Sequence, residues 1–230
     1  MIAVIGDIHG CYHTLLQLLD LIYTRYGEIS VFATGDLVDR GKYSAEVVQC
    51  CIETGIMPVM GNHDYMFCSY FIDRRSTASA IWSYNGSMNT IKSYEANKEY
   101  LKDHIEYIRN LPLVIMTENS IISHAGISDR HYDNMIREGY YRNGGITDYF
   151  SDKLLDETGI LWNREVLANL GELQVVGHTR QKSVRYEELT NAVYIDTSAF
   201  TGNKLSAVII ERGDIVDKYE VSTDSRDTGL

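Results

Sequence analysis

Aspartate, histidine and asparagine recur in this chain directly after short apolar runs. Runs ending at Ile5, Thr34, Met60, Ser123 and Val176 lead into Gly6-Asp7-Ile8-His9, Gly35-Asp36, Gly61-Asn62-His63-Asp64, His124-Ala125-Gly126 and Gly177-His178-Thr179. These side chains bind divalent cations through oxygen and nitrogen, or move protons. Carboxylates, imidazoles and one amide suit manganese, iron or zinc better than a soft thiolate site would. Asp7, His9, Asp36, Asn62, His124 and His178 together exceed the roughly four ligands that one tetrahedral ion takes. Two ions about 3.5–4 Å apart, sharing a carboxylate, fit the set better. Asp36, central in the series, is the expected bridge.

Each motif alone has a plainer reading. Asp-x-His after a strand can be a capped helix start, and Gly-Asn-His-Asp a polar turn; the repetition after five runs outweighs those readings. His13, His104 and His131 belong to no motif and read as surface or satisfied histidines. Residues 35–42 approach a phosphate-binding P-loop, but with one residue too many between the glycines and Tyr43 where Ser or Thr should follow the lysine.

Ligands bind outside the carboxyl ends of strands in open α/β sheets, so loops spread along a chain can converge there. The elements needed are legible. Residues 2–5 read as a strand, 11–26 as a Leu-rich helix, 30–34 as a strand and 45–52 as helix-spaced apolar positions, with a third strand at 57–60. Residues 62–110 look largely helical, with a break near 84–87 and a stop at Leu111-Pro112. Strands return at 113–116 and 121–123. The Tyr-, Arg- and Gly-rich stretch 128–170 reads as loops and short helices over a site. Strands at 173–176, 184–186, 192–195, 205–210 and 215–219 follow, and strands alternating with helices imply βαβ units and a mixed or parallel sheet. We expect one domain over residues 1–221 and a polar, frayed tail at 222–230.

Composition narrows the function. The chain has 230 residues, 44% hydrophobic, with a net charge of −11 and no basic run longer than Arg74-Arg75, so its field repels polyanions such as long nucleic acid. No apolar stretch is long enough to span a membrane, the start lacks a signal-peptide pattern, and a cytoplasmic location is expected. Cysteines at 11, 50, 51 and 68 make a poor disulfide framework and no Cys-x-x-Cys zinc site.

Read in order, GDIHG, GDLVDRG, GNHD, HAG and GHT resemble the phosphoprotein phosphatases among the metallophosphoesterases, and most of all their bacterial and bacteriophage branch. Trp82 with Asn85-Gly86, Leu111-Pro112-Leu113, Trp162-Asn163-Arg164-Glu165 and Tyr194-Ile195-Asp196-Thr197 extend the likeness to about residue 210. The resemblance implies an α/β fold, a β-sandwich flanked by helices with the dimetal site at one edge. It implies that Asp7, His9 and Asp36 hold one metal, and Asp36, Asn62, His124 and His178 the other. His63 would be the general acid with Asp39 as its partner, and Arg40 and Arg164 would bind phosphate oxygens. Direct attack by a metal-bridging hydroxide, with manganese the expected metal, is implied as well.

Protein serine/threonine phosphatase activity is the expectation, with phosphotyrosine left open. Symmetrical diadenosine tetraphosphate hydrolysis is the alternative. Asp64 points toward the hydrolases, which also tend to read GNHD, whereas Asp39 points to the phosphatases, because those hydrolases commonly lack it. A non-catalytic scaffold would be expected to have lost a ligand or the acid, and none is lost. A nuclease or cyclic phosphodiesterase fits poorly with the acidic balance and the arginine pair.

Overall fold

The computed structural model describes residues 1–141 and 145–228. Positions 142–144 of the expected loop stretch and 229–230 of the expected tail lie outside the described residues. Three βα units open the chain: β1 (Ile2–Ile5) with α1 (Tyr12–Tyr26), β2 (Ser30–Ala33) with α2 (Ser44–Thr54), and β3 (Met57–Pro58) with α3 (Asn62–Ile72). Then come α4 (Thr77–Trp82), α5 (Ser87–Ala96), α6 (Leu101–Arg109), β4 (Val114–Met116), β5 (Ser120–Ser123), α7 (Asp129–Glu138) and α8 (Ile146–Phe150). β6 (Leu173–Val176), β7 (Arg185–Glu187), β8 (Ala192–Tyr194), β9 (Lys204–Glu211) and β10 (Asp214–Ser222) complete the order.

These strands form two mixed sheets, ordered β10-β9-β1-β2-β3 and β4-β5-β6-β8-β7. Pairing is parallel along β1-β2-β3 and β5-β6-β8, and antiparallel elsewhere. The apolar runs are explained by burial on both faces. Val4 of β1 packs with Phe32, Ile122, Val175, Val193 and Val208 between the sheets, while its neighbours Ala3 and Ile5 pack with Leu15, Leu18, Val47 and Phe67 of the helices. A strand covered on both faces reads as continuously apolar rather than alternating. The other sheet is covered in turn by a cluster containing Ile121, Met135, Phe150 and Leu161.

The helical stretch breaks where expected, at Gly86 with φ 93°, and also at Asn97 and around Asp73, where Ser76 accepts from the Ser79 amide to start α4. Within the expected tail, residue 227 is anchored to the first helix. Asp227 is fully buried and accepts from the His13 and Thr14 amides and the Thr14 hydroxyl at 2.6–2.9 Å. Those amides belong to the unsatisfied first turn of α1, which lacks a local side-chain cap, so a distant carboxylate takes that role.

Candidate active site

The parallel strands end together, and their loops carry the chemistry. His9, Asp36, Asp39, Arg40 and His178 all adopt φ between 46° and 73°, a region costly for residues with a side chain. Strain of this kind persists where the surrounding structure over-determines it, and clusters at functional sites. Close packing between loops demands glycine: a Cβ on Gly177 would collide with Asp7 Oδ1, and one on Gly61 with the Asp36 carboxylate and amide.

Histidine orientation is fixed by backbone acceptors. His9 donates from Nδ1 to the Val38 carbonyl (2.8 Å) and His124 from Nδ1 to the Thr34 carbonyl (2.7 Å), so in each ring Nε2 presents a lone pair. These lone pairs approach opposite oxygens of Asp36, His9 Nε2 at 3.3 Å from Oδ2 and His124 Nε2 at 3.6 Å from Oδ1. Two groups of candidate ligand atoms lie within 4.8 Å of one another: His9, Asp36 and His63, and Asp7, Asp36 and His124. Asp36 belongs to both, the place expected of a shared carboxylate.

The electrostatics of the bare residues favour a cation. Asp7, Asp36 and Asp196 are all buried. Burial, then Asp196 and Asp36, raises the Asp7 carboxyl well above its ordinary range. Burial, together with Asp36 and against a hydrogen bond from the Ser198 amide, pushes Asp196 up to about 6. Burial also opposes the charge on Asp36; of the groups that pull its carboxyl down, His124, His63, His9 and Arg40, the guanidinium stays charged when the rings are neutral. Burial lowers His9, His124 and His178, the last to about 2, which leaves the rings neutral with lone pairs to offer.

Around Asn62 the donors fit a metal directly. His124 Nε2 lies 2.9 Å and His178 Nδ1 3.1 Å from Asn62 Oδ1, and the two nitrogens are 3.2 Å apart. His178 Nε2 is buried without a hydrogen-bond partner. A neutral ring carries one proton: on Nδ1 it leaves Nε2 bare, and on Nε2 it leaves that donor unpaired. A cation taking the converging lone pairs and the amide oxygen resolves the crowding.

His63 is held differently. Its Nδ1 lies 2.7 Å from Asp39 Oδ2, and Asp39 also accepts from the Trp82 indole at 2.8 and 3.0 Å and from the Thr90 hydroxyl at 2.8 Å. Arg40 donates to His63 Nε2 (2.8 Å) and His9 Nε2 (2.7 Å) and lies 4.4 Å over the Phe200 ring. Arg164 is exposed at the rim, with no hydrogen bond to the cluster among the described residues, close enough to His178 to lower its basicity.

The structure thus brings together every candidate read from the sequence, Arg164 standing outermost. It adds residues that sequence reasoning gave no role. Thr34 donates to Asp7 Oδ1 at 2.9 Å. Asp64 accepts from the Leu37, Val38 and Gly61 amides and ties two motif loops together. Trp82 and Thr90, 43 and 51 residues from Asp39, carried no local signal of partnership. His104 and His131 are satisfied as expected, by Tyr94 and Gln49 and by Tyr149 and Thr158.

A family model described as calcineurin-like phosphoesterase matches residues 1–194. The chain belongs to this family. As a calcineurin-like phosphoesterase it is a hydrolase that cleaves phosphoesters, in a family that works with divalent metal ions. Serine/threonine-protein phosphatase 2 of Salmonella typhimurium is 28% identical over 222 residues, covering 89% of this chain and 90% of that protein. The symmetrical bis(5'-nucleosyl)-tetraphosphatase of Neisseria meningitidis is 31% identical over 125 residues, covering 54% of this chain and 42% of that protein. The match to this calcineurin-like phosphoesterase therefore spans under half of that relative's length. The cold-active protein-tyrosine phosphatase of a psychrophilic Shewanella shares the fold, with a TM-score of 0.59 and 20% identity over 96% of this chain and 80% of that one. No helix among the described residues is long and apolar enough to cross a membrane.

Proposed function

We propose that this phosphoesterase removes phosphate from serine or threonine of proteins, with Asp7, His9, Asp36, Asn62, His124 and His178 as metal ligands and His63 as general acid. The observation that carries the reading is the buried His63–Asp39 pair, supported by Trp82 and Thr90. A seryl or threonyl alkoxide is a poor leaving group and needs a proton, whereas a polyphosphate leaves readily without one. A fixed imidazole with its own carboxylate is the apparatus such a leaving group requires.

The residues divide the work. Asp39 accepts from His63 Nδ1 and fixes the orientation of the ring. Arg40 is a donor only, so the substrate's phosphate oxygens compete with His9 and His63 for its guanidinium; its departure frees His63 Nε2 to face the leaving oxygen. Arg164 at the rim supplies a second planar donor to the phosphate. Divalent ions held by the ligand set, manganese by preference, would supply an activated water and offset phosphate charge. Buried, unpaired thiols at positions 11, 50, 51 and 68 suit a cytoplasmic setting.

Symmetrical diadenosine tetraphosphate hydrolysis is the second reading, favoured by the GNHD motif and the shared region with the Neisseria relative. With manganese present, kcat/KM for a phosphoserine peptide, diadenosine tetraphosphate and a cyclic nucleotide should rank in that order. A higher value for the dinucleotide would transfer the assignment to the second reading.

A further inference from the structure

Beside the site lies a cavity of about 400 Å³ on the outer face of the second sheet. Arg164, Val166, Thr179, Leu189, Thr190 and Tyr194 line it. Its volume lies in the range of binding pockets, about 300–1,000 Å³. The cavity is continuous with the site at two points: Arg164, proposed above for phosphate, forms part of its wall, and Thr179 directly follows His178.

Two features of the wall have no structural explanation. Val166 is 68% exposed and Leu189 83% exposed, so two large apolar side chains stand in solvent on opposite loops of one cavity. Scattered exposed apolar residues are ordinary, whereas apolar residues gathered around a concavity mark a contact surface. Thr190 is nine-tenths buried, yet its hydroxyl has no hydrogen-bond partner. Such a group costs about 1–3 kcal/mol when left unmet.

Charge selects the occupant. Glu165 and Glu187 stand at the rim, and Arg185 is spent on Glu187 at 2.9 Å while lying 4.3 Å over the Tyr194 ring. The lining is neutral overall, two arginines against two glutamates, so it offers no surplus of positive charge to the further phosphates of a dinucleoside polyphosphate. The Tyr194 face is already covered by Arg185, so it offers no stacking surface to a nucleobase.

We infer that this cavity is a substrate subsite that receives an apolar side chain flanking the phosphorylated residue of a protein substrate. The inference rests on the phosphoprotein reading above and adds a sequence preference to it. The manganese-loaded wild type should cleave a phosphoserine peptide flanked by leucines with about tenfold higher kcat/KM than the same peptide flanked by glycines, a typical span for one apolar side chain in a pocket. The double variant Val166→Ser, Leu189→Ser should lose that preference, while turnover of p-nitrophenyl phosphate, too small to reach the cavity, stays within about twofold and reports an intact site. Equal turnover of the two peptides by the wild type, or a preference that survives in the variant, would overturn the subsite. If the wild type cleaves p-nitrophenyl phosphate and diadenosine tetraphosphate but neither peptide, the phosphoprotein reading falls first and the subsite with it.

Discussion

The two halves of the site are finished to different degrees. Around His63 every polar contact is made by protein: Asp39 accepts from His63, Trp82 and Thr90, and Arg40 bonds both His63 and His9. Around Asn62 its Oδ1, His124 Nε2 and His178 Nδ1 crowd within 3.2 Å of one another, and His178 Nε2 has no partner. One half meets its polar groups with protein partners, whereas the other leaves groups that a cation would complete, which is the division of labour proposed above. Proton chemistry and metal binding should accordingly be separable by mutation, with Asp36 the residue where they meet.

The strongest test of that division is removal of metal. Chelated protein should lose activity altogether and regain it with manganese, because without the ions nothing lowers the pKa of water from about 15.7. Full turnover in verified metal-free protein would end the dimetal reading. Asp36→Asn should be the most damaging ligand change; elemental analysis showing two tightly bound ions in that variant would remove Asp36 from the bridge.

Next in size is His63→Asn, which should slow a phosphoserine peptide by roughly 10²–10⁴-fold. An aryl phosphate, whose phenolate leaves without a proton, should be slowed far less, and bound metal should be unchanged. Equal slowing of both substrates would assign His63 to positioning rather than proton transfer.

Trp82→Phe probes the support one residue further out. The ring contacts survive and only the indole N–H to Asp39 is lost, a charge-assisted bond contributing about 1.5–3 kcal/mol. Peptide turnover should fall about tenfold or more and move toward the His63→Asn pattern of leaving-group dependence. A loss identical for peptide and aryl phosphate would make Trp82 a packing residue only.

Two changes outside the site should affect stability alone. Asp227→Ala removes three hydrogen bonds from the start of α1 and should cost about 1–2 kcal/mol in denaturant unfolding, with catalytic constants unchanged. His104, fully enclosed between Tyr94 and Gln49, is lowered by burial to about 4. The unfolded chain binds that proton near its ordinary 6.5, so stability should fall as pH drops from about 6.5 toward 4 and the His104-linked loss should level off below. His104→Gln, which keeps a neutral polar group there, should flatten that part of the profile; an unchanged slope would show that other groups carry it.

The sequence by itself determined the fold class and the candidate ligand types. A strand covered on both faces must be apolar throughout, and a loop that packs against another while carrying a ligand needs glycine, so each run followed by Gly and Asp, Asn or His was visible locally. The same locality set the limits. Nothing near Asp39 announces Trp82 or Thr90, nothing in the polar ending announces that Asp227 caps a helix more than two hundred residues away, and no periodicity shows that Val166 and Leu189 face one cavity. Those contacts arise only when two sheets and their loops close on each other, because a hydrogen bond or a cavity wall is a property of spatial neighbours, and the chain records only the residues that each neighbour contributes.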